Sequence, residues 1–152
     1  MRVIGIDPGS VSGAGALLDT NDPQLVCVFD LPVVADGLDP AQLTRVFRNF
    51  DAHMAVVERV SAMPGQGVSS MFKFGRAYGT ILGVLAALEV PTHLVTPVVW
   101  KKHFGLPGKD KERAREFAIR MFPQVSGLSR KKDAGRAEAL LISKWFLEHH
   151  EK

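Results

Sequence analysis

One cysteine stands in 152 residues. A single thiol excludes an internal disulfide and a cysteine-based zinc site. Cys27 lies in the apolar run from Leu25 to Leu31, where packing is expected of it rather than reactivity. No apolar run approaches the roughly 18 residues that suggest a membrane span. A secretory signal and a lipidation motif are also missing, so a cytoplasmic address is expected. Internal repeats and low-complexity segments are absent too. The length suits one domain over residues 1–152, large enough for a single core.

The net charge of +3 conceals an asymmetry. Residues 1–97 carry six Lys/Arg against nine Asp/Glu, whereas residues 98–152 carry thirteen against seven. Basic charge gathered in the last third of a domain is the footprint expected for a polyanion, although solvated helix faces also produce it.

The stretch Val3-Ile4-Gly5-Ile6-Asp7-Pro8-Gly9-Ser10 reads as a buried strand stopped by a turn, with the Asp7 carboxylate at the strand's end. Gly13 to Leu18 and Leu25 to Leu31 read as two further strands of an antiparallel meander. Asp39-Pro40 predicts the start of a helix through about Phe50, with Leu43, Val46, Phe47 and Phe50 buried. Met54 to Glu58 is a second apolar strand that ends in a carboxylate. A loop over residues 59–67 leads to a long helix from about Val68 to Leu88. Gly75, Gly79 and Gly83 form one stripe on it, costing on the order of 1 kcal/mol each. Such a stripe is expected to meet another backbone, from a sheet or a symmetry-related helix.

Thr92 to Val95 is a short strand, and Pro97 opens a small helix to Phe104, broken by Gly105-Leu106-Pro107-Gly108. Asp110 caps a helix from Lys111 to Phe122. A basic loop precedes a last helix, from Asp133 or Ala134 to Leu147. The resulting order, βββ-α-β-α-β-α-α-α, predicts an α/β, ribonuclease H-like mixed five-stranded sheet flanked by helices.

Asp7 and Glu58 then end two strands expected to be central and adjacent, at the carboxyl edge where open α/β sheets place ligands. Paired carboxylates repel unless protonated or bound to a cation. Oxygen ligands without a Cys or His cluster select a hard ion, Mg²⁺ or Mn²⁺. Asp133 and Glu138, at the beginning of the last helix, are the candidates to complete the set. Two metals held by four carboxylates would bridge a scissile phosphate. The basic third would then hold the nucleic-acid backbone.

Ile4-Gly5-Ile6-Asp7-Pro8-Gly9, Val56-Val57-Glu58, Phe74-Gly75-Arg76-Ala77-Tyr78-Gly79 and Ala137-Glu138-Ala139-Leu140-Leu141-Ile142 together resemble the RuvC-type Holliday junction resolvases. The likeness spans about residues 3–145 and is nearest to compact phage-like members. It implies a homodimer with two active sites, in a bacterial or phage-infected cell and on the nucleoid when bound to DNA. The implied activity is Mg²⁺-dependent paired nicking of four-way DNA, with two ions per site, Mn²⁺ as substitute, and 5′-phosphate and 3′-hydroxyl products. No membrane and no nucleotide cofactor take part.

By motif match, Asp7, Glu58 and Glu138 are metal ligands. The fourth acid departs from the pattern: many members carry Asp or His where this chain has Gly135. Asp133 is expected to serve instead, although five residues on a regular helix turn it about 140° from Glu138. Lys101 resembles the family lysine near the scissile phosphate, beside Lys102, and Lys109 or Lys111 resembles a second. Phe72 or Phe74 is expected to stack at the branch point, the other to pack in the core. Arg76 would pair with a phosphate or an acid. Arg130, Lys131 and Lys132 form a basic loop for DNA.

Three alternatives remain. A ribonuclease H-like nuclease acting on RNA or other branched DNA would use the same acids. An actin-like ATPase fits Gly5 to Ser10 as a phosphate loop, but such proteins need two such domains. A non-catalytic junction-binding protein leaves the like charges unexplained.

Overall fold

The computed structural model describes residues 1–9, 13–106 and 108–150, so Ser10 of the first turn and Pro107 of the helix break lie outside the described residues. Strands β1 (Arg2–Asp7), β2 (Ala14–Asp19) and β3 (Val26–Asp30) form the antiparallel meander. Strands β4 (Val33–Val34) and β5 (Gly37–Leu38) make a separate small hairpin that leads into helix α1 (Pro40–Phe50). Asp39 caps α1 through the backbone N–H groups of Ala41 and Gln42.

Strand β6 (Met54–Glu58) and strand β7 (Thr92–Val95) flank helix α2 (Val68–Ala87) in sequence. Helices α3 (Pro97–His103), α4 (Lys111–Met121) and α5 (Ala134–His150) complete the chain, α5 being preceded by a 3-10 turn over Lys131–Asp133. The main sheet runs β3-β2-β1-β6-β7, with β1, β6 and β7 parallel to one another. This is the predicted mixed five-stranded sheet.

Side-chain alternation divides the core between the two faces of the sheet. Ile4, Ile6, Ala55 and Val57 pack with Leu43 and Phe47 of α1 and Ile81 and Leu85 of α2. Val3, Val56 and Val95 point the other way, onto α5 with Trp100 and Ala114. Gly5 shares that second face, and a Cβ there would overlap the Ala139 carbonyl oxygen, so only glycine lets α5 lie this close. By the same alternation Asp7 and Glu58 emerge on the α5 side. Helix α5 is buried around most of its circumference, which accounts for its nearly continuous apolar sequence.

The glycine stripe of α2 meets no sheet. A Cβ at Gly75, Gly79 or Gly83 would find nothing within 4 Å among the described residues.

Candidate active site

Parallel pairing of β1 with β6 runs in register through Ile6 and Val57, so Asp7 and Glu58 are the next residues on neighbouring strands. Glu138 reaches them from the second turn of α5 and is 4% exposed. Burial holds the Asp7 carboxyl well above the usual carboxylate range; nearby Glu138 and Glu58 push in the same direction, and Lys111 opposes them. Glu58 is raised too, first by burial and then by Glu138, while the Trp100 hydrogen bond, Lys101 and Lys111 pull it down.

Oε1 of Glu138 is buried without a hydrogen-bond partner among the described residues. Its nearest cation is Lys101 on α3, with Nζ 3.8 Å away. A buried carboxylate oxygen with no donor is costly, and the neighbouring charges of Asp7 and Glu58 add to that cost. Their oxygen chemistry fits a hard divalent cation. Among the described residues, no three His, Cys, Asp or Glu side chains already form a metal-holding group, so the acids are neighbours rather than a finished nest.

A cleft of about 440 Å³ opens beside Asp7. Its walls carry Phe74 of α2, Lys111 at the start of α4, Lys132 of the 3-10 turn and Arg136 of α5. Gln66 and Asp30 also line it. Phe74 is half-buried there, whereas Phe72 is 68% exposed and does not line the cleft. Lys102, Lys109 and Lys131 are exposed and lie outside the cleft lining.

Two expected site residues bond each other, and a third takes one of its two expected partners. Asp133 is buried, but Arg130 grips it through a 2.8 Å ion pair and its backbone N–H, and Arg136 stands 3.6 Å away. Those contacts hold its carboxyl below the ordinary range, the Arg130 hydrogen bond first. Arg130 meets Asp133 with half of its side chain still exposed. Arg76 pairs with an acid, Asp36 in the turn of the small hairpin, at 3.3 Å and through the Asp36 carbonyl.

Two contributors carried no assigned role in the sequence reading. Arg136 bonds both oxygens of Asp30 at the cleft wall. Trp100 donates its indole N–H to Oε2 of Glu58 at 2.8 Å. Nothing in the spacing of Trp100 separates it from a core residue, which it also is.

No protein-family model matches the chain. It is 25% identical over 151 residues to the crossover junction endodeoxyribonuclease RuvC of Chloroflexus aurantiacus, covering 93% of this chain and 91% of that protein. The RuvC of Magnetococcus marinus is 29% identical over 153 residues, covering 94% and 82%. The T. thermophilus RuvC structure in complex with a Holliday junction substrate superposes with a TM-score of 0.72 at 16% identity, covering 99% of this chain and 96% of that one. By sequence and by fold, the chain is RuvC-like. The fowlpox virus Holliday junction resolvase shares the fold as well, with a TM-score of 0.62, 12% identity and coverage of 98% and 99%. The ribonuclease H-like fold expected from the element order is therefore present.

Proposed function

We propose that the chain is a structure-selective endodeoxyribonuclease, a single nuclease domain over residues 1–152, that resolves four-way DNA junctions. The cut would be paired phosphodiester hydrolysis leaving 5′-phosphate and 3′-hydroxyl ends. The observation that carries this reading is the meeting of Asp7, Glu58, Glu138 and Lys101 beside a cleft with Lys111, Lys132 and Arg136 in its walls. RuvC relatives named as crossover junction endodeoxyribonucleases support it.

Asp7, Glu58 and Glu138 would hold Mg²⁺, or Mn²⁺ in its place. With Asp133 committed to Arg130, a pair of ions would rest on three protein carboxylates and draw other ligands from substrate and water. Bound there, the metal supplies Lewis acidity for hydrolysis of the phosphodiester. Lys101 stands where a cation can balance charge on the scissile phosphate while staying within reach of Glu138. Lys111 and Lys132 would hold flanking phosphates, a contact independent of sequence. Phe74, at the cleft, is the better placed of the two phenylalanines to meet a base.

Paired cutting needs two sites at a fixed separation, hence a homodimer. The open stripe of Gly75, Gly79 and Gly83, continued by exposed Val68 and Phe72, is the surface we assign to it. Among the described residues no helix is long and apolar enough to cross a membrane; the site of action would be the cytoplasm, on DNA. The test is cleavage of a labelled four-way junction beside a linear duplex, with Mg²⁺ and with EDTA.

A further inference from the structure

Trp100 has no exposed surface and is among the largest fully buried side chains of the protein. Its one polar atom, Nε1, donates to Oε2 of Glu58 at 2.8 Å. Folding alone does not demand that bond. The other tryptophan, Trp145, is also buried, and its Nε1 has no partner among the described residues.

The topology brings donor and acceptor together. Glu58 pairs with Val95 at the ends of β6 and β7, and the Arg59 N–H bonds the Val95 carbonyl at 2.7 Å. Helix α3 starts two residues later, so its first turns stand over the acid. The next residue on that helix, Lys101, reaches Glu138. Consecutive side chains of one short helix thus address two acids of the cluster.

A carboxylate can otherwise turn about its last bond and exchange its oxygens. One oxygen held by a donor whose ring is locked in the core stops that exchange. The other oxygen of Glu58, Oε1, carries no hydrogen bond among the described residues. We propose that Trp100 is a positioning residue of the active site, its indole N–H fixing Glu58 so that Oε1 stays available to a divalent cation. The proposal rests on the reading of the acids as a cation site. Partners that orient ligands in this way are typically worth 10–100-fold in metal affinity.

The test uses Mg²⁺ alone, without DNA. Trp100→Phe keeps the buried ring and removes the N–H. Calorimetry is expected to show Mg²⁺ binding weakened at least tenfold relative to wild type, with Glu58→Gln weakened further. Trp145→Phe leaves Trp100 as the sole tryptophan, and its emission is expected to shift with Mg²⁺ along the calorimetric isotherm. Wild-type Mg²⁺ affinity in Trp100→Phe overturns the proposal. Should that variant not fold, emission of Trp145→Phe that ignores Mg²⁺ overturns it instead. Wild-type protein that binds no Mg²⁺ overturns the cation-site reading itself, and this proposal with it.

Discussion

A methyl group on Gly135 would stand 3.2 Å from Oδ2 of Asp7. Gly135 and Glu138 are three residues apart on α5, so both positions border the same cluster. The place where related sequences were expected to carry a fourth acid is therefore at the site, and in this chain it holds no side chain.

Gly135→Asp would add that acid. Without metal it brings another like charge against Asp7 and lowers stability at neutral pH. With metal it adds a ligand. The shift in melting temperature on adding saturating Mg²⁺ is expected to be larger than in wild type, by about 3–5 °C for each tenfold gain in affinity. Thermal unfolding of both proteins with Mg²⁺ and with EDTA checks this.

Asp7→Asn removes the charge and keeps the shape. Cleavage is expected to fall by at least about 10³-fold, whereas junction binding in Ca²⁺ or EDTA stays within about threefold, because phosphates are met by the basic residues of the cleft. The variant also changes the pH response. The raised folded value of Asp7 means that the folded state binds the proton more tightly than the unfolded state. Its stability is therefore greatest below about pH 4 and is lost as pH rises through the folded value. In EDTA, urea midpoints of wild type are expected to decline over that range. The decline is expected to flatten in Asp7→Asn, with the residue of it owed to Glu58, which is raised in the same direction.

Asp133→Ala tests the opposite assignment. Losing the bonds from Arg130 is expected to cost about 1–3 kcal/mol, read as a lower urea midpoint. The shift produced by Mg²⁺ should remain that of wild type. Because the folded value of Asp133 is depressed, its stabilisation is present above about pH 4 and lost as pH falls through the folded value. A smaller Mg²⁺ shift in this variant would return Asp133 to the metal site.

Asp7 and Glu58 were legible because alternation along a strand and its abrupt end are both written in sequence, and two apolar runs ending in an acid name the same edge of one sheet. Glu138 followed from its motif. The Arg130 contacts of Asp133 were not legible, because an acid before a helix looks the same whether it faces a metal or is bonded by a neighbour. What decides is Arg130 folding back three residues, a matter of side-chain conformation. Trp100 was hidden by its own burial: periodicity reports that a side chain points inward, never that its one polar atom finds a carboxylate. The hairpin of β4 and β5 escaped because two-residue strands carry no periodic signal.

Gly79→Glu probes the uncharged stripe of α2. Among the described residues nothing lies within 4 Å of a Cβ there, and leaving glycine in a helix interior gains up to about 1 kcal/mol of helix propensity. The folded protomer should survive. Two such charges brought face to face should prevent dimerisation, so sedimentation is expected to report a folded monomer that nicks one strand of a junction without its symmetric partner. A dimer as tight as wild type would move the interface elsewhere.

Cleavage of a labelled four-way DNA junction beside a duplex of the same sequence, each with Mg²⁺ and with EDTA, tests the central claim most directly. The account predicts symmetric, ligatable nicks in the junction alone, present with Mg²⁺ and absent with EDTA. Equal cutting of junction and duplex, or nicks that persist in EDTA, would contradict it.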